Sequence, residues 1–253
     1  MNYLIGDIGN TNIKICKLNK KFKIIKTYFF STKNSGLEIN FKKKLNILID
    51  KNTNSKILIS SVVPNIYKLI SKTLKKKRFK VYEIKKLNLK KLINIRVDKY
   101  SDLGSDRIAN AIGAYYKFNS NCIVIDFGTA TTFDVVKKNA TYDGGVIAPG
   151  IKLSIENLFS STALLPMFKL NQYPKRYGKN TIDALSSGFF WGYEGLIDNI
   201  INLIKKETKK PFKIIITGGF STFFKNSIKA KVILNKDITV KGLIKAATLI
   251  KQI

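Results

Sequence analysis

Histidine is missing from this 253-residue sequence, and cysteine occurs only twice. Without histidine, a zinc site of the Cys/His kind and histidine acid–base catalysis are both excluded. Cys16 and Cys122 each lie in an apolar strand pattern, and the sequence has no Cys-x-x-Cys pair. This placement predicts two reduced core residues rather than a disulfide or metal ligands.

Long apolar runs are also missing, since none reaches the roughly 18 residues that span a bilayer. The sequence passes directly into a strand-like stretch, "NYLIGD", without a basic region or a cleavage site. These two absences predict a soluble, cytoplasmic protein with no membrane partner. With 45% hydrophobic residues, the chain has enough apolar material for one large domain or two packed halves.

Acidic residues are scarce, with 16 Asp and Glu against 46 Lys and Arg, which gives a net charge of +30. A charge of this size is compatible with a nucleic-acid partner. The excess is mostly lysine spread along the chain, and its densest runs, "FKKK" (Phe41–Lys44) and "KKKRF" (Lys75–Phe79), fall near predicted helix ends. We therefore expect a solvated basic surface that attracts anionic metabolites such as ATP, and no specific nucleic-acid binding.

Apolar periodicity predicts a chain of alternating strands and helices arranged in two similar halves. The predicted strands are Tyr3–Asp7, Ile13–Leu18, Ile24–Phe30, Lys56–Ser60, Phe79–Ile84, Cys122–Asp126, Thr131–Val136, Tyr142–Ile147 and Lys213–Thr217, and the predicted helices are Leu37–Ile49, Asn65–Lys76, Ser105–Phe118, Ile151–Phe159, Thr181–Lys205 and Val240–Lys251. Each half opens with a strand, an Asp-x-Gly turn and two further strands. With the seam at "FNSN" (Phe118–Asn121), we expect α/β domains over residues 1–118 and 119–253, with a ligand cleft between them.

The two Asp-x-Gly turns are the first candidates for chemistry. "YLIGDIGNTNIKI" places Asp7 at the end of an apolar strand, and "IVIDFGTATT" does the same with Asp126. The glycine lets the backbone approach a ligand, and the following N–H and hydroxyl groups can donate to phosphate oxygens. Mg²⁺ with its waters can bridge the carboxylate to those oxygens, and Lys14 adds a positive charge. Ordinary hairpin chemistry is the alternative for either turn alone, but the repetition favours phosphate binding.

Two further elements carry candidate roles. "KIIITGGFS" (Lys213–Ser221) is an apolar strand ending in paired glycines, against which an adenosine can lie. "GSDRIANAIGAYY" (Gly104–Tyr116) places Ser105 at a predicted N-cap, with Asp106 and Arg107 in the first helical turn. Asp106 can accept a proton from an attacking hydroxyl, and Arg107 can bind a carboxylate. Alternatively, Asp106 only complements the helix dipole and Arg107 is solvated.

Two Asp turns followed by a strand and a Thr-Gly-Gly element resemble the acetate and sugar kinase, Hsp70 and actin superfamily. This resemblance implies an α/β fold of two ribonuclease H-like halves with an ATP cleft between them. The complete series is similar to type III pantothenate kinase: "DIGNTN", "SSVVP", "GSDR", "IDFGTATT", "GGVIAPG", "GKNTIDALSSG" and "ITGG", in this order. The resemblance implies an enzyme that phosphorylates pantothenate with ATP, giving 4′-phosphopantothenate in the first step of coenzyme A synthesis.

The resemblance also implies roles for individual residues. The implied ATP contacts are Asp7, Ile8, Gly9, Asn10, Thr11, Asn12, Ile13, Lys14 and Thr129. Gly104, Ser105, Asp106, Arg107 and Thr181 are the implied pantothenate contacts, and Asp106 is the proton acceptor. Asp126 is the implied ligand of a monovalent cation, K⁺ or NH₄⁺. The family is homodimeric, so we expect Thr181 to reach its substrate across a dimer interface.

The chain departs from the family pattern at one position. Seven residues before Gly104, many relatives carry a substrate-contacting tyrosine, whereas this chain has Val97, and Tyr100 lies three positions further on. Two alternatives to the kinase remain at this point. One is a regulatory or nucleic-acid-binding relative on the same fold, and the other is an acetate or sugar kinase of the superfamily.

Overall fold

The computed structural model describes residues 2–32, 37–49 and 53–251. By contacts between Cα atoms these residues group into two compact units. Unit 1 comprises residues 1–117, 140–142 and 237–253, and unit 2 comprises residues 118–139 and 143–236. The first change of unit thus falls at the predicted seam, while the C-terminal segment groups with unit 1. The division into domains of residues 1–118 and 119–253 stays a prediction.

Unit 1 is built on a mixed five-stranded sheet. Its elements are β1 (Asn2–Ile8), β2 (Asn12–Leu18), β3 (Ile24–Ser31), α1 (Leu37–Leu48), β4 (Thr53–Ser61), α2 (Pro64–Lys76), β5 (Lys80–Glu83), β6 (Asn94–Ile95), α3 (Ser105–Phe118) and α7 (Ile238–Lys251). The sheet order is β3-β2-β1-β4-β5. The first three strands are antiparallel, and β4 and β5 run parallel to β1. The central strands β1 and β4 each contain a short apolar run whose side chains are buried on both faces of the sheet, Tyr3–Ile5 and Ile57–Ile59.

Unit 2 repeats this topology. Its elements are β7 (Cys122–Phe127), β8 (Ala130–Lys137), β9 (Thr141–Pro149), α4 (Ile151–Ser160), α5 (Thr181–Thr208), β10 (Lys213–Gly218), α6 (Ser221–Phe224) and β11 (Val232–Leu234). The order β9-β8-β7-β10-β11 matches unit 1 strand for strand, again with an antiparallel opening pair and two parallel strands. The first two residues of β9 group with unit 1, where they pair with β6. The repeat predicted from the sequence is therefore confirmed.

The predicted strands and helices agree with the structure to within a few residues at each end. The predicted helix Leu37–Ile49 ends one residue earlier, at Leu48. The strands β6 and β11 and three short 3₁₀ turns were not predicted. These elements contain only two or three residues, which is too short for a hydrophobic period to show.

Each unit has its own hydrophobic core. In unit 2, Phe224 stacks on Phe127 and on Phe190, with ring centroids 5.7 Å and 5.5 Å apart. Cys16 and Cys122 are free and buried, as predicted. In the part of the chain that the structure describes, no helix has both the length and the apolar character needed to cross a membrane.

Helices α3 and α7 of unit 1 approach each other at backbone distance. A side-chain carbon added at Gly113 of α3 would collide with the carbonyl of Ile238, and one added at Gly242 of α7 would collide with the carbonyl of Ala109. Beside this crossing, the Thr239 hydroxyl donates to Oδ1 of the buried Asn110 at 2.7 Å. The two glycines thus determine where α3 lies in unit 1.

Replacing Gly242 with alanine should lower the stability of the protein severely, because the added methyl group meets backbone that cannot rotate away. We expect a loss of about 2–3 kcal/mol, or a fall in Tm of roughly 4–12 °C in a thermal scan. Gly195→Ala on α5 is the matched control, since nothing lies within 4 Å of the added carbon. The control should keep or slightly raise Tm, and equal behaviour of the two variants would contradict the close crossing.

Candidate active site

The first Asp-x-Gly turn joins β1 to β2. Asp7 lies directly opposite Lys14 in the antiparallel pair. The turn is closed by the Gly9 N–H, which donates to the Asn12 carbonyl at 2.9 Å, and by Thr32, whose hydroxyl donates to the Gly9 carbonyl at 2.9 Å. The turn residues Asn10, Thr11 and Asn12 are exposed, so this turn lies at the protein surface.

Two predicted ATP contacts lie inside the core. Ile8 and Ile13 pair with each other across the two strands, and both side chains are 0% exposed. Only their backbone atoms can therefore reach a ligand, and the Ile8 carbonyl already accepts from Val62 N–H at 3.0 Å.

Lys14 is positioned by Asp237, the residue that precedes α7. Its Nζ donates to Asp237 Oδ1 at 3.1 Å, and it lies 5.6 Å from the centre of the Phe29 ring. The two side chains of the ion pair are 20% and 54% exposed, so solvent weakens the pair and the ammonium remains able to bind an anion.

The "GSDR" motif begins α3. The prediction that Ser105 is the N-cap of this helix is wrong, because Ser105 is its first helical residue. Gly104 precedes the helix and accepts the first helical N–H, from Ile108. The Ser105 side chain is 0% exposed; its Oγ donates to the Ser61 carbonyl at 2.6 Å and accepts from Ser61 N–H at 2.8 Å. Since Ser61 is the β4 partner of Ile8 on β1, this pair holds the start of α3 beside the first phosphate turn.

The Asp106 carboxylate folds back against the turn before it. Oδ1 accepts the Arg107 N–H at 2.8 Å, and a carbon added at Gly104 would lie 2.5 Å from the same oxygen. Burial raises the pKa of Asp106 above its ordinary value, while hydrogen bonding from Arg107 N–H, its positive charge and that of Lys85 act in the opposite direction. The Arg107 guanidinium lies 5.9 Å from the ring centre of the buried Tyr142. A carboxylate with a raised pKa is a suitable proton acceptor near neutral pH.

The second Asp-x-Gly turn is enclosed by glycines of two other elements. Asp126 pairs with Thr132 on β8 and with Thr217 on β10. Gly218 has φ +85°, and a carbon added there would lie 2.5 Å from Asp126 Oδ1. A carbon added at Gly150, before α4, would collide with the Thr129 carbonyl. Thr129 itself is exposed at the tip of the turn.

The Asp126 carboxylate offers an oxygen ligand of the kind that hard monovalent cations prefer. Its Oδ1 packs closely against the Gly218 backbone, where an added side-chain carbon would lie only 2.5 Å away. Among the described residues, no three or more His, Cys, Asp or Glu side chains form a group able to hold a metal. Asp126 would therefore act as a single side-chain ligand, with the remaining ligands supplied by backbone, water or phosphate oxygens.

Thr181 begins α5 in unit 2 and is exposed. Asn180 caps this helix by accepting the Asp183 N–H at 2.9 Å. Thr181 lines a mostly apolar cavity of about 580 Å³ between α4 and α5. Pro149, next to Gly150, lines the same cavity and accepts a 3.3 Å hydrogen bond from the Tyr193 hydroxyl. The cavity therefore adjoins the segment that packs on Thr129.

The predicted residues thus form two groups. In unit 1, residues 7–14 and 104–107 meet through the Ser61–Ser105 hydrogen bonds. In unit 2, Asp126 and Thr129 lie together, and Thr181 lies on the cavity. Reasoning from the sequence missed Asp237 and Lys85, because no local pattern links either residue to its partner. The close packing at Gly150 and Gly218 could have been expected from the sequence, because both glycines belong to motifs quoted above, "GGVIAPG" and "ITGG".

Comparison with known proteins identifies a family to which this chain is similar. Residues 3–203 match the family model described as type III pantothenate kinase. A type III pantothenate kinase of Pelagibacter ubique (strain HTCC1062) is 54% identical over 249 residues, covering 98% of this chain and 99% of the relative. Another, of Sulfurihydrogenibium sp. (strain YO3AOP1), is 37% identical over 248 residues, covering 95% and 97%.

Solved structures share the fold at low identity. Component A of (R)-2-hydroxyglutaryl-CoA dehydratase of Acidaminococcus fermentans has a TM-score of 0.57 at 13% identity, covering 100% of this chain and 98% of that one. The activator of 2-hydroxyisocaproyl-CoA dehydratase of Clostridium difficile, solved with bound ADPNP, has a TM-score of 0.55 at 11% identity, with coverages of 100% and 98%. The predicted fold class, an α/β fold of two ribonuclease H-like halves, is confirmed.

Asp106→Asn should raise thermal stability at neutral pH. Because the folded state raises the pKa of Asp106, it disfavours the carboxylate relative to the unfolded chain. Asparagine removes that charge, and its Oδ1 can still accept the Arg107 N–H. Tm of the variant should exceed that of the wild type at pH 7, measured by calorimetry, and the difference should shrink as pH falls and the wild-type carboxyl becomes protonated.

The control for this stability measurement is Glu156→Gln, which removes an exposed carboxylate paired with Lys152 at 3.7 Å. We expect no change beyond about 0.5 kcal/mol for the control. A Tm of Asp106→Asn that lies below the wild type at pH 7 would contradict the unfavourable burial of this carboxylate.

Proposed function

The chain belongs to the type III pantothenate kinase family, and on that premise we propose that it transfers the γ-phosphoryl group of ATP to pantothenate. The products are 4′-phosphopantothenate and ADP, in the first step of coenzyme A biosynthesis. The observation that supports the chemistry best is the partly buried Asp106 carboxylate, which the Ser61–Ser105 hydrogen bonds hold beside the Asp7 turn. A proton acceptor and a candidate phosphate-binding turn therefore occupy the same edge of one sheet.

In the proposed reaction, Asp106 accepts the proton of the pantothenate 4′-hydroxyl as its oxygen attacks the γ-phosphorus. The bond from the γ-phosphorus to the bridging oxygen breaks, and ADP leaves. Arg107 binds the pantothenate carboxylate, for which its planar guanidinium is suited. Gly104 and Ser105 contribute backbone N–H groups, because the Ser105 hydroxyl is already used by Ser61. Phosphoryl transfer mainly requires that the protein position the reactants and neutralise charge, and these groups provide both.

We assign the ATP phosphates to the two turns. In the first, Asp7 and the exposed residues Asn10–Asn12 face the phosphates, Gly9 allows the close approach, and Lys14 adds positive charge. Ile8 and Ile13 contribute backbone only, since their side chains are buried. In the second turn, Thr129 contacts ATP. Mg²⁺, bound through Asp7 and phosphate oxygens, would offset the phosphate charge.

We assign Asp126 to a monovalent cation, K⁺ or NH₄⁺, on the fit described above. A bound cation would supply positive charge beside the phosphates, while Asp126 and the Gly218 backbone shape its site. Thr181 would contact pantothenate from a second copy of the chain.

A homodimer is proposed because the cavity between α4 and α5 leaves apolar surface without cover in unit 2. On α5, Ile197, Ile201 and Ile204 are buried in the core of the unit, so only the other apolar side chains of this part of the helix are available for a partner. That part includes Leu203, which is 54% exposed, and Leu196, which lines the cavity. A second copy of the chain that covers this surface would also contact Thr181, which lines the same cavity.

The family membership does not favour the regulatory or nucleic-acid-binding alternative. We attribute the charge of +30 to lysines on solvated surfaces, and specific nucleic-acid binding is not part of the proposal. The cytoplasmic location stays a prediction.

The function is tested by ADP release in a coupled assay with and without pantothenate. Asp106→Asn should lower kcat by about 10²- to 10⁴-fold, because the proton acceptor is lost, while ATP binding measured by calorimetry stays near the wild-type value. Glu156→Gln serves as the control and should leave turnover unchanged. ADP release that does not depend on pantothenate would contradict the proposed function. An Asp106→Asn variant that retains more than about a tenth of the wild-type kcat would show that Asp106 is not the proton acceptor.

The cation assignment predicts potassium dependence. At matched ionic strength, activity should be low with sodium as the only monovalent cation and should rise with potassium or ammonium. Asp126→Asn should weaken this activation, since the carboxylate supplies the only side-chain charge assigned to the ion. Equal rates in sodium and potassium buffers would exclude the cation from the mechanism.

A further inference from the structure

Two short 3₁₀ turns of unit 1 are tied together ahead of the "GSDR" motif. The first, Ile84–Lys86, follows β5, and the second, Tyr100–Asp102, ends just before Gly104. The Lys85 ammonium donates to the Ser101 carbonyl at 2.7 Å, and the Tyr100 hydroxyl donates to the Lys85 carbonyl at 2.9 Å. Each turn thus both donates to and accepts from the other, and we call this arrangement the Lys85–Tyr100 clasp.

One of the two turns of the clasp, Ile84–Lys86, is anchored in the core of unit 1. Ile84 is 0% exposed, and β5 pairs with β4 in parallel, with Glu83 opposite Ile59. On the other side, Leu103 is 5% exposed and its N–H donates to the Tyr100 carbonyl at 3.2 Å. The backbone from Tyr100 to Gly104 is therefore held at one end by the clasp and at the other by the Ser61–Ser105 hydrogen bonds.

We propose that Lys85 is a positioning residue for the pantothenate motif: through the clasp it holds the backbone against which the Asp106 carboxylate rests. This inference rests on the proposed function, since it assigns Lys85 to the same reaction. The contact is close, because Asp106 Oδ1 lies only 2.5 Å from the position that the first side-chain carbon at residue 104 would take. A shift of Gly104 by a few tenths of an ångström would move the proton acceptor by a similar amount.

Charge gives Lys85 a second effect on the same residue. The charged groups that act on the Asp106 carboxyl are Arg107, its neighbour on α3, and Lys85. Both lower its pKa, against the larger effect of burial that raises it. Lys85 therefore helps to keep the carboxyl ionised and able to accept a proton. A lysine that only stabilised the loop would have no such effect, which gives the proposal a distinctive readout.

The test measures kcat and KM for both substrates across a pH series in four variants. Lys85→Met removes the charge and the clasp hydrogen bond, and should raise KM for pantothenate roughly three- to thirty-fold. KM for ATP should change less than twofold. Without the positive charge the protonated form of Asp106 is favoured, so the acidic limb of kcat/KM for pantothenate should move to higher pH.

The other variants separate the two effects. Lys85→Arg keeps the charge and should leave the acidic limb at its wild-type position. Tyr100→Phe removes one clasp hydrogen bond but no charge, so it should raise KM for pantothenate with the limb unmoved. Lys86→Met is the matched control, because Lys86 stands on the same turn but is 77% exposed and only pairs with Glu83 at 3.6 Å. It should behave as the wild type.

Three outcomes would overturn the inference. One is a Lys85→Met enzyme with the KM for pantothenate and the pH profile of Lys86→Met. Another is an equal rise in KM for both substrates together with a fall in Tm, which would indicate general damage. If the wild type itself releases no ADP in response to pantothenate, the proposed function fails, and this inference fails with it. Wild-type turnover beside an unaffected Lys85→Met overturns the inference alone.

Discussion

The contact between α3 and α7 at Gly113 and Gly242 is the constraint on which the arrangement of unit 1 depends. Two helices can approach to backbone distance only where neither carries a side chain at the crossing point. With α3 held there, its first turn meets the end of β4 and brings Asp106 beside the Asp7 turn. With α7 held there, Asp237 at its start reaches Lys14 on β2. One steric condition thus positions both a candidate base and a candidate phosphate-binding cation.

The two units share one topology but differ in the residue that stands opposite the aspartate of the turn. Both have an aspartate at the end of the central strand and a glycine turn after it, but the residue opposite the aspartate is Lys14 in unit 1 and Thr132 in unit 2. The first turn has an ammonium available for an anion. The second has no lysine opposite its carboxylate, and the Gly218 backbone packs closely against Asp126 Oδ1. In unit 1 a positive charge therefore stands opposite the aspartate, whereas in unit 2 the residue opposite it is uncharged.

Much of this could be predicted from the sequence, because the signals are local. Strand alternation, helical periodicity and the Asp-x-Gly turns depend on residues within a few positions of one another, so the predicted elements and the repeat agree with the structure. The ordered motifs identified the family, and the family model and relatives confirmed it. The N-cap assigned to Ser105 was wrong because its buried hydroxyl bonds to Ser61, a partner that no local pattern reveals.

The sequence by itself determined the two α/β halves, the two acidic turns and the "GSDR" motif, since each depends on short-range backbone preferences and periodic burial. Only the tertiary structure decided that the Ile8 and Ile13 side chains are buried away from any ligand, and that Asp237 pairs with Lys14. It also decided that Lys85 joins the loop ahead of Asp106. These contacts join segments far apart along the chain, and such pairs form only where the packing of strands and helices brings their backbones together.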